Sequence, residues 1–388
     1  MATGSVTDGV IMLIERLRVQ GLLSFGPDGI DLPLESLNVV IGPNGSGKSN
    51  LLQVLGLLRT AAGGDRALVN GRDWEKLLWQ GPPQMKDDAP AKARVVANVK
   101  LPGLERKWDY HLELFPSTGE HKKEYIPMAG TSELAILHRH YSDIRLYNNW
   151  AFGSLASIRD GQGPPVKPSW PSDTGNSGST PIVGQDNGVR YKRDLYNPIA
   201  SWPDEDDKWL TETAGNLPSV ISRFSSDRRI TLGKYLNRLY DGIVGITTPF
   251  VDGKVSVVIE ENGGREIPAE RLSDGTLRYL SLLTVLLDPD PPPLIGIEEP
   301  ELGLHPDIVF ELGKLLVEAS ERTQLVVTTH SHTLVDALTD HPTSVVACDK
   351  HEGQTWFKRV TTGVAEVWLN DNSLGQVWSM GGIGGNRW

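Results

Sequence analysis

Apolar positions along this 388-residue chain follow two rhythms. Near the start, Met12-Leu13-Ile14-Glu15-Arg16-Leu17-Arg18-Val19 alternates in the manner of a half-buried strand, and Gly26-Pro27-Asp28-Gly29 supplies a turn. Arg94 to Leu101 and Lys107 to Phe115 alternate in the same way. They are predicted to pair as antiparallel strands through Pro102-Gly103, giving a β-subdomain. The second rhythm is continuous: Leu37-Asn38-Val39-Val40-Ile41, Leu294-Ile295-Gly296-Ile297, Gln324-Leu325-Val326-Val327-Thr328 and Ser344 to Cys348 carry little alternation. Helical patterns separate these runs, one through Asn50-Leu51-Leu52-Gln53-Val54-Leu55 to about Arg59, and others from Ser273, Asp307 and Thr333. Strands that are apolar on both faces and alternate with helices predict a mainly parallel sheet covered on both sides. The expected fold class is therefore α/β, a parallel core with an antiparallel β-subdomain and a helical subdomain.

Between these regions the pattern weakens. Residues 138–159, with Tyr141, Tyr147, Trp150 and Phe152, read as packing of a second layer. Residues 160–188, rich in Gly, Pro, Ser and Asp, read as a surface insertion or mobile loop. The run Asp204-Glu205-Asp206-Asp207 reads as a solvated face or helix start, a metal site being the alternative. Arg223, Arg228, Arg229 and Lys234 bracket a helical pattern with Leu232, Tyr235, Leu236 and Leu239; a solvated helix face and a polyanion contact are both open there. Neither an internal repeat nor a sustained heptad is visible, so long coiled-coil arms are not expected.

Composition narrows the setting. At 39% hydrophobic and 22% charged residues, the chain reads as a soluble globular protein with core enough for one large or two smaller domains. It has no uninterrupted apolar run of membrane-spanning length, and its first residues lack the basic-then-apolar order of a signal peptide. The expectation is a cytoplasmic protein with no membrane partner and a flexible leader over residues 1–11. A net charge of −11 argues against one broad nucleic-acid-binding face while leaving room for local basic patches. Cys348, the single cysteine, lies in an apolar run and is expected to be a buried small hydrophobe.

Chemistry concentrates at the ends of the continuous strands. Gly42-Pro43-Asn44-Gly45-Ser46-Gly47-Lys48-Ser49 matches G-x-x-x-x-G-K-[ST] between a strand and a helix that opens with Asn50. Its glycines let backbone N–H groups wrap a phosphate, Lys48 brings charge to the β- and γ-phosphates, and Ser49 offers a hydroxyl to Mg²⁺. ATP with Mg²⁺ is the implied ligand. The strand Leu294 to Ile297 ends in Glu298-Glu299, which places two carboxylates where open α/β sheets bind ligands. Glu298 is suited to the Mg²⁺ sphere and Glu299 to polarising a water for in-line attack, an exposed acidic turn being the plain alternative. Leu272-Ser273-Asp274-Gly275-Thr276 opens a helix; Ser273 fits an N-cap, and the same turn offers N–H groups and a dipole end to a γ-phosphate. His330, in Thr328-Thr329-His330-Ser331, falls at the same sheet edge as a donor to the γ-phosphate or the attacking water.

In this order the motifs resemble the ABC-type ATPase head of RecF, SMC and OLD-like proteins. Closer still, Gly42 to Asn50, Ile297-Glu298-Glu299-Pro300-Glu301-Leu302-Gly303-Leu304-His305-Pro306, Thr329-His330-Ser331 and the tail Gly381 to Trp388 are similar to stand-alone bacterial AAA-family ATPases of RecF-like type. Trp209-Leu210 and Gly215-Asn216-Leu217 with Val220 resemble that group's middle region. The resemblance implies one head over 12–388, divided into a P-loop lobe and β-subdomain (12–115), a helical or inserted middle (116–270) and a lobe with signature, Walker B and His switch (271–388). It also implies an ATP-dependent homodimer in which Ser273 and Gly275 reach the ATP held by the other subunit. Three departures stand out: Glu298 replaces the usual Walker B aspartate, Asp274 a signature glycine, and Leu302-Gly303-Leu304-His305 the typical D-loop. Gln162 and Gln185 are Q-loop candidates by location alone, with loop surface as the alternative.

The leading expectation is an ATPase that regulates or drives a DNA-related or phage-defence partner, a separately encoded nuclease-type effector, with nucleic acid as a further partner. A nucleotide-sensing module without turnover and a transport-type ATPase subunit are the alternatives. The chain is not expected to cut nucleic acid itself, because Asp336, Asp340 and Asp349 are spread over different elements and resemble no two-metal centre. For the tail ending in Arg387-Trp388, docking to a partner and packing back on the head are both open.

Overall fold

The computed structural model describes residues 12–62, 77–82, 92–100, 107–114, 121–122, 131–148, 200–201, 208–239, 241–251, 254–363, 369 and 372–385. In chain order the first part runs β1 (Ile14–Gln20), β2 (Ile30–Pro33), β3 (Leu37–Ile41), α1 (Lys48–Ala62), β4 (Ala93–Lys100), β5 (Lys107–Leu114), β6 (His121–Lys122), α2 (Thr131–Ser142) and β7 (Arg145–Tyr147). The middle holds β8 (Ala200–Ser201), α3 (Leu217–Arg223), α4 (Ser226–Asn237), β9 (Ile243–Thr247), β10 (Phe250–Val251), β11 (Lys254–Ser256), β12 (Val258–Glu261) and β13 (Arg265–Pro268). Then follow α5 (Asp274–Leu286), β14 (Leu294–Glu298), α6 (Pro306–Ala319), β15 (Gln324–Thr329), α7 (His332–Asp336), β16 (Val345–His351), β17 (Gln354–Arg359) and α8 (Leu374–Ser379). They divide into two compact units, Met1–Asn149 with Val285–Trp388, and Trp150–Thr284.

The first unit contains both sheets expected from the two rhythms. Its six-stranded sheet has the order β17-β16-β3-β15-β14-β7. Each pair from β16 to β7 is parallel, and β17 is the antiparallel edge. Every residue of β3 and β15 is buried, as continuous apolar runs require when both faces are covered. The five-stranded sheet, β2-β1-β4-β5-β6, is antiparallel and one-sided: Leu17 and Val19 are buried while Arg16, Arg18 and Gln20 face solvent. Its inner face and α1 share one core, in which Leu17, Val95 and Tyr110 pack with Leu51, Leu55 and Tyr141. The Tyr110 and Tyr141 rings meet edge to face at 5.1 Å.

Three features were not anticipated. The run ending at Cys348 continues to His351 and turns through Glu352-Gly353 into β17, making a hairpin. Within the aromatic segment, Tyr141 and Tyr147 are buried as expected, but Arg145–Tyr147 also forms the parallel strand at the far edge of the sheet. The second unit, besides α3 and α4, has two three-stranded sheets, β10-β11-β8 and β13-β12-β9. Trp150, Phe152, residues 160–188, Gln162, Gln185 and Asp204 to Asp207 lie outside the described residues.

A buried amide helps to join the two sheets of the first unit. Gln324, fully buried at the start of β15, accepts from the Ile14 N–H at 3.0 Å. Its amide nitrogen donates to Ile14 O at 2.7 Å and Glu35 O at 3.1 Å. The side chain thus completes backbone groups that strand pairing leaves over. Gln324→Leu should destabilise the protein by about 3 kcal/mol, since the buried N–H and carbonyl of Ile14 both lose their bonds to it. Urea unfolding measures this, and a loss below about 1 kcal/mol would show that the amide is not the joint proposed.

Candidate functional site

The glycine loop leaves β3 and enters α1 through two positions that exclude side chains. At Gly42, φ +153°, a Cβ would lie 2.2 Å from Cys348 O; at Gly47, φ +112°, it would lie 2.1 Å from Thr355 Oγ1 and 2.6 Å from Ser24 Oγ. Thr355 Oγ1 is also 2.6 Å from Ser46 O, and Asn50 Nδ2 donates to Ser24 Oγ at 2.6 Å. The loop is therefore held from below by β17 and by the turn after β1. Lys48 Nζ donates to Gly42 O at 2.8 Å and Pro43 O at 3.0 Å. Burial lowers its pKa, while Cys348, Glu299, Glu298 and Glu301 act in the other direction. Behind the loop, Gly385 rests against Gly42, its N–H donating to Asp349 Oδ2 at 3.1 Å and its carbonyl accepting from Trp378 Nε1 at 3.3 Å. Through Gly385 the tail packs on the head; Asn386, Arg387 and Trp388 are outside the described residues.

Parallel pairing brings the other predicted groups of this unit to the same edge. Ser49 Oγ donates directly to Glu298, the last residue of β14. Glu299 follows at φ +45°, a left-handed conformation strained for a residue with a Cβ. Its Oε1 lies 3.2 Å from His330 Nε2. Burial lowers the His330 pKa below its ordinary 6.5, Lys48 adds to the lowering, and Glu299 opposes it. A neutral ring carrying its proton on Nε2 is then a donor to the carboxylate.

Glu301, quoted above only as part of a motif, is a contributor that sequence reasoning missed. Its Oε1 accepts from Thr329 Oγ1 and from the His330 N–H. Burial raises its pKa, the bonds from His330 and Thr329 opposing. The signal was a third acid following Glu298-Glu299-Pro300. For Thr355 the signal was the β-prone Gln354-Thr355-Trp356-Phe357, but nothing local ties that strand to the loop.

Ser273 and Gly275 lie in the second unit. Ser273 caps α5 as expected, its Oγ accepting from the Thr276 N–H at 3.1 Å, and Gly275 sits in the first turn. In the same unit, Arg229 Nη1 donates to Ser222 O and Phe224 O at the end of α3, and Arg223 to Lys208 O. Both arginines thus serve backbone carbonyls.

The lowered His330 pKa ties stability to pH. Below pH 6.5 the unfolded chain takes up a proton that the folded ring resists, so stability falls on acidification through the window just under pH 6.5. His330→Gln should flatten that part of a Tm-against-pH curve; an unchanged slope between about pH 5 and 7 would contradict the half-buried, neutral imidazole.

Comparison with known proteins bears on the fold. An SMC head bound to the C-winged helix domain of ScpA is similar over 91% of this chain and 99% of that one, with TM-score 0.59 and 16% identity. The SMC head domain from Thermotoga maritima matches with TM-score 0.51 and 15% identity over 90% and 100%. A Pyrococcus furiosus Smc head bound to the C-terminal domain of ScpA matches with TM-score 0.56 and 14% identity over 92% and 99%. No curated protein matches the chain. The fold is that of a P-loop ABC-type ATPase head of the SMC kind. With residues 37–99 and 193–336, just over half its length, matching the family model, the chain belongs to the family described as "AAA domain, putative AbiEii toxin, Type IV TA system".

Proposed function

We propose that this protein binds ATP with Mg²⁺, hydrolyses it, and uses ATP-driven pairing of two copies to regulate or drive a separately encoded partner. The observation that carries this reading is the meeting of Ser49, Glu298, Glu299 and His330 at one sheet edge beside Lys48. Lys48 would exchange its two loop carbonyls for phosphate oxygens, gaining charge-assisted bonds. Ser49 and Glu298 bring a hydroxyl and a carboxylate to one point, an oxygen donor set suited to a hard cation that keeps several waters. Magnesium held there would neutralise charge on the β- and γ-phosphates. Glu299 orients and deprotonates the attacking water, and neutral His330 donates to the γ-phosphate or that water. Gly42 to Asn50 cradle the triphosphate, while Ser273 and Gly275 complete the γ-phosphate contacts of the opposite copy.

The partner we favour is a nuclease-type effector in a DNA-related or phage-defence pathway, with nucleic acid as a further contact. Supporting an attached partner, two of the similar SMC heads are bound to domains of ScpA, and the family description names a TA system. Among the described residues no helix is long and apolar enough to cross a membrane, and we place the protein in the cytoplasm.

Glu299→Gln keeps shape and hydrogen bonding but removes the base, so ATP binding should persist while hydrolysis falls at least about a hundredfold. Turnover near that of the wild type would move the base elsewhere, with Glu298 or His330 next in line. With ATP and Mg²⁺ the same variant should form a compact dimer in light scattering, and adding Ser273→Arg should keep it monomeric. Normal dimerisation of the double variant would rule out the arrangement in trans.

A further inference from the structure

We infer that Glu301 is a positioning residue that holds the His330 imidazole against Glu299, an inference that rests on the roles given to those two residues above. Glu301 stands in the turn after β14, and its side chain crosses to the end of β15. One oxygen, Oε1, accepts from Thr329 Oγ1 at 2.7 Å and from the His330 N–H at 2.8 Å. The His330 ring then returns to Glu299, Nε2 to Oε1, at 3.2 Å. A closed circuit results: Glu299, its turn, Glu301, the His330 backbone, the imidazole, and Glu299 again. Backbone bonds brace the turn, with the Glu299 N–H donating to Thr328 O at 2.9 Å and the Leu304 N–H to Glu301 O at 3.0 Å.

Two features distinguish Glu301 from an ordinary turn acid. Its second oxygen, Oε2, is buried without a hydrogen-bond partner, a cost that an exposed carboxylate would avoid. Thr329 Oγ1, which donates to Glu301, also accepts from the Ser331 N–H at 2.9 Å, so one network fixes the backbone on both sides of His330. The strained φ of Glu299 needs such support, because the surrounding contacts must over-determine it. Without Oε1, the His330 N–H loses its acceptor and the imidazole loses its fixed distance from Glu299.

Steady-state and single-turnover hydrolysis by the full chain, with ATP affinity from calorimetry, tests this. Glu301→Ala should leave the ATP Kd within about threefold but lower kcat about tenfold to a hundredfold, as expected when a reacting group is displaced by about an ångström. Glu301→Gln keeps an Oε1 acceptor and should restore kcat to within about fivefold of wild type. Should Glu301→Ala fail to fold, Thr329→Val, which has the same shape, decides the matter by the same drop in kcat at unchanged Kd. A kcat within about twofold of wild type in the tested variant, or a Gln variant as slow as Ala, overturns the positioning role. Glu299→Gln in parallel separates the two readings: if it too turns over normally, the hydrolytic pair itself is wrong.

Discussion

Parallel pairing of β3 with β15, and of β15 with β14, is the constraint on which the site depends. The register sets Ile41 beside Thr329 and Glu298 beside Thr328, so three strands distant in sequence end at one level. Whatever follows their carboxyl ends must share the same edge. Hence Ser49 can donate to a carboxylate 249 residues away, and His330 can meet Glu299 without any long side chain reaching across the sheet. A slip of one residue in either pair would turn alternate side chains to the opposite face and dissolve the arrangement.

Electrostatics follows from that level ending. Glu298, Glu299 and Glu301 converge near one buried ammonium and one imidazole, and burial and charge both act on those two groups. For Lys48 burial favours the neutral amine while the carboxylates favour the ion; for His330 burial and Lys48 both favour the neutral ring. The glycine loop adds a mechanical requirement. It is wedged between Cys348 O, Thr355 and Ser24, so its first and last glycines leave no space for a Cβ.

The two sheets of the first unit are joined by polar groups as well as apolar packing. Gln324 links β15 to Ile14, and Gln354 donates to Asp28 Oδ2 at 3.0 Å across the β17 start. Such buried amides are costly unless fully partnered, and here their bonds go to strand ends or loops that no ladder satisfies. They fix how the antiparallel layer meets the parallel one, and with it the position of Ser24 under the loop.

What the sequence alone determined is what local pattern controls. Continuous apolar runs between helices dictated the parallel core, alternation dictated the one-sided antiparallel sheet, and the glycine spacing with Lys48 and Ser49 announced the loop. Glu298, Glu299 and His330 were legible because each directly follows an apolar run that had already declared a buried strand or lies one position beyond its end. Other features were decided only in three dimensions. Gln324 and Thr355 lie on strands, and nothing in their neighbours says which backbone each will meet. The hairpin after Cys348 and the strand Arg145–Tyr147 owe their places to the open edges of a sheet built from distant segments. Glu301 could be counted as an acid from the sequence, but its crossing to Thr329 and His330 exists only because parallel register sets two strand ends side by side. Local patterning fixes which residues are buried; the partners of a polar side chain are fixed by chain segments far away, and those come together only on folding.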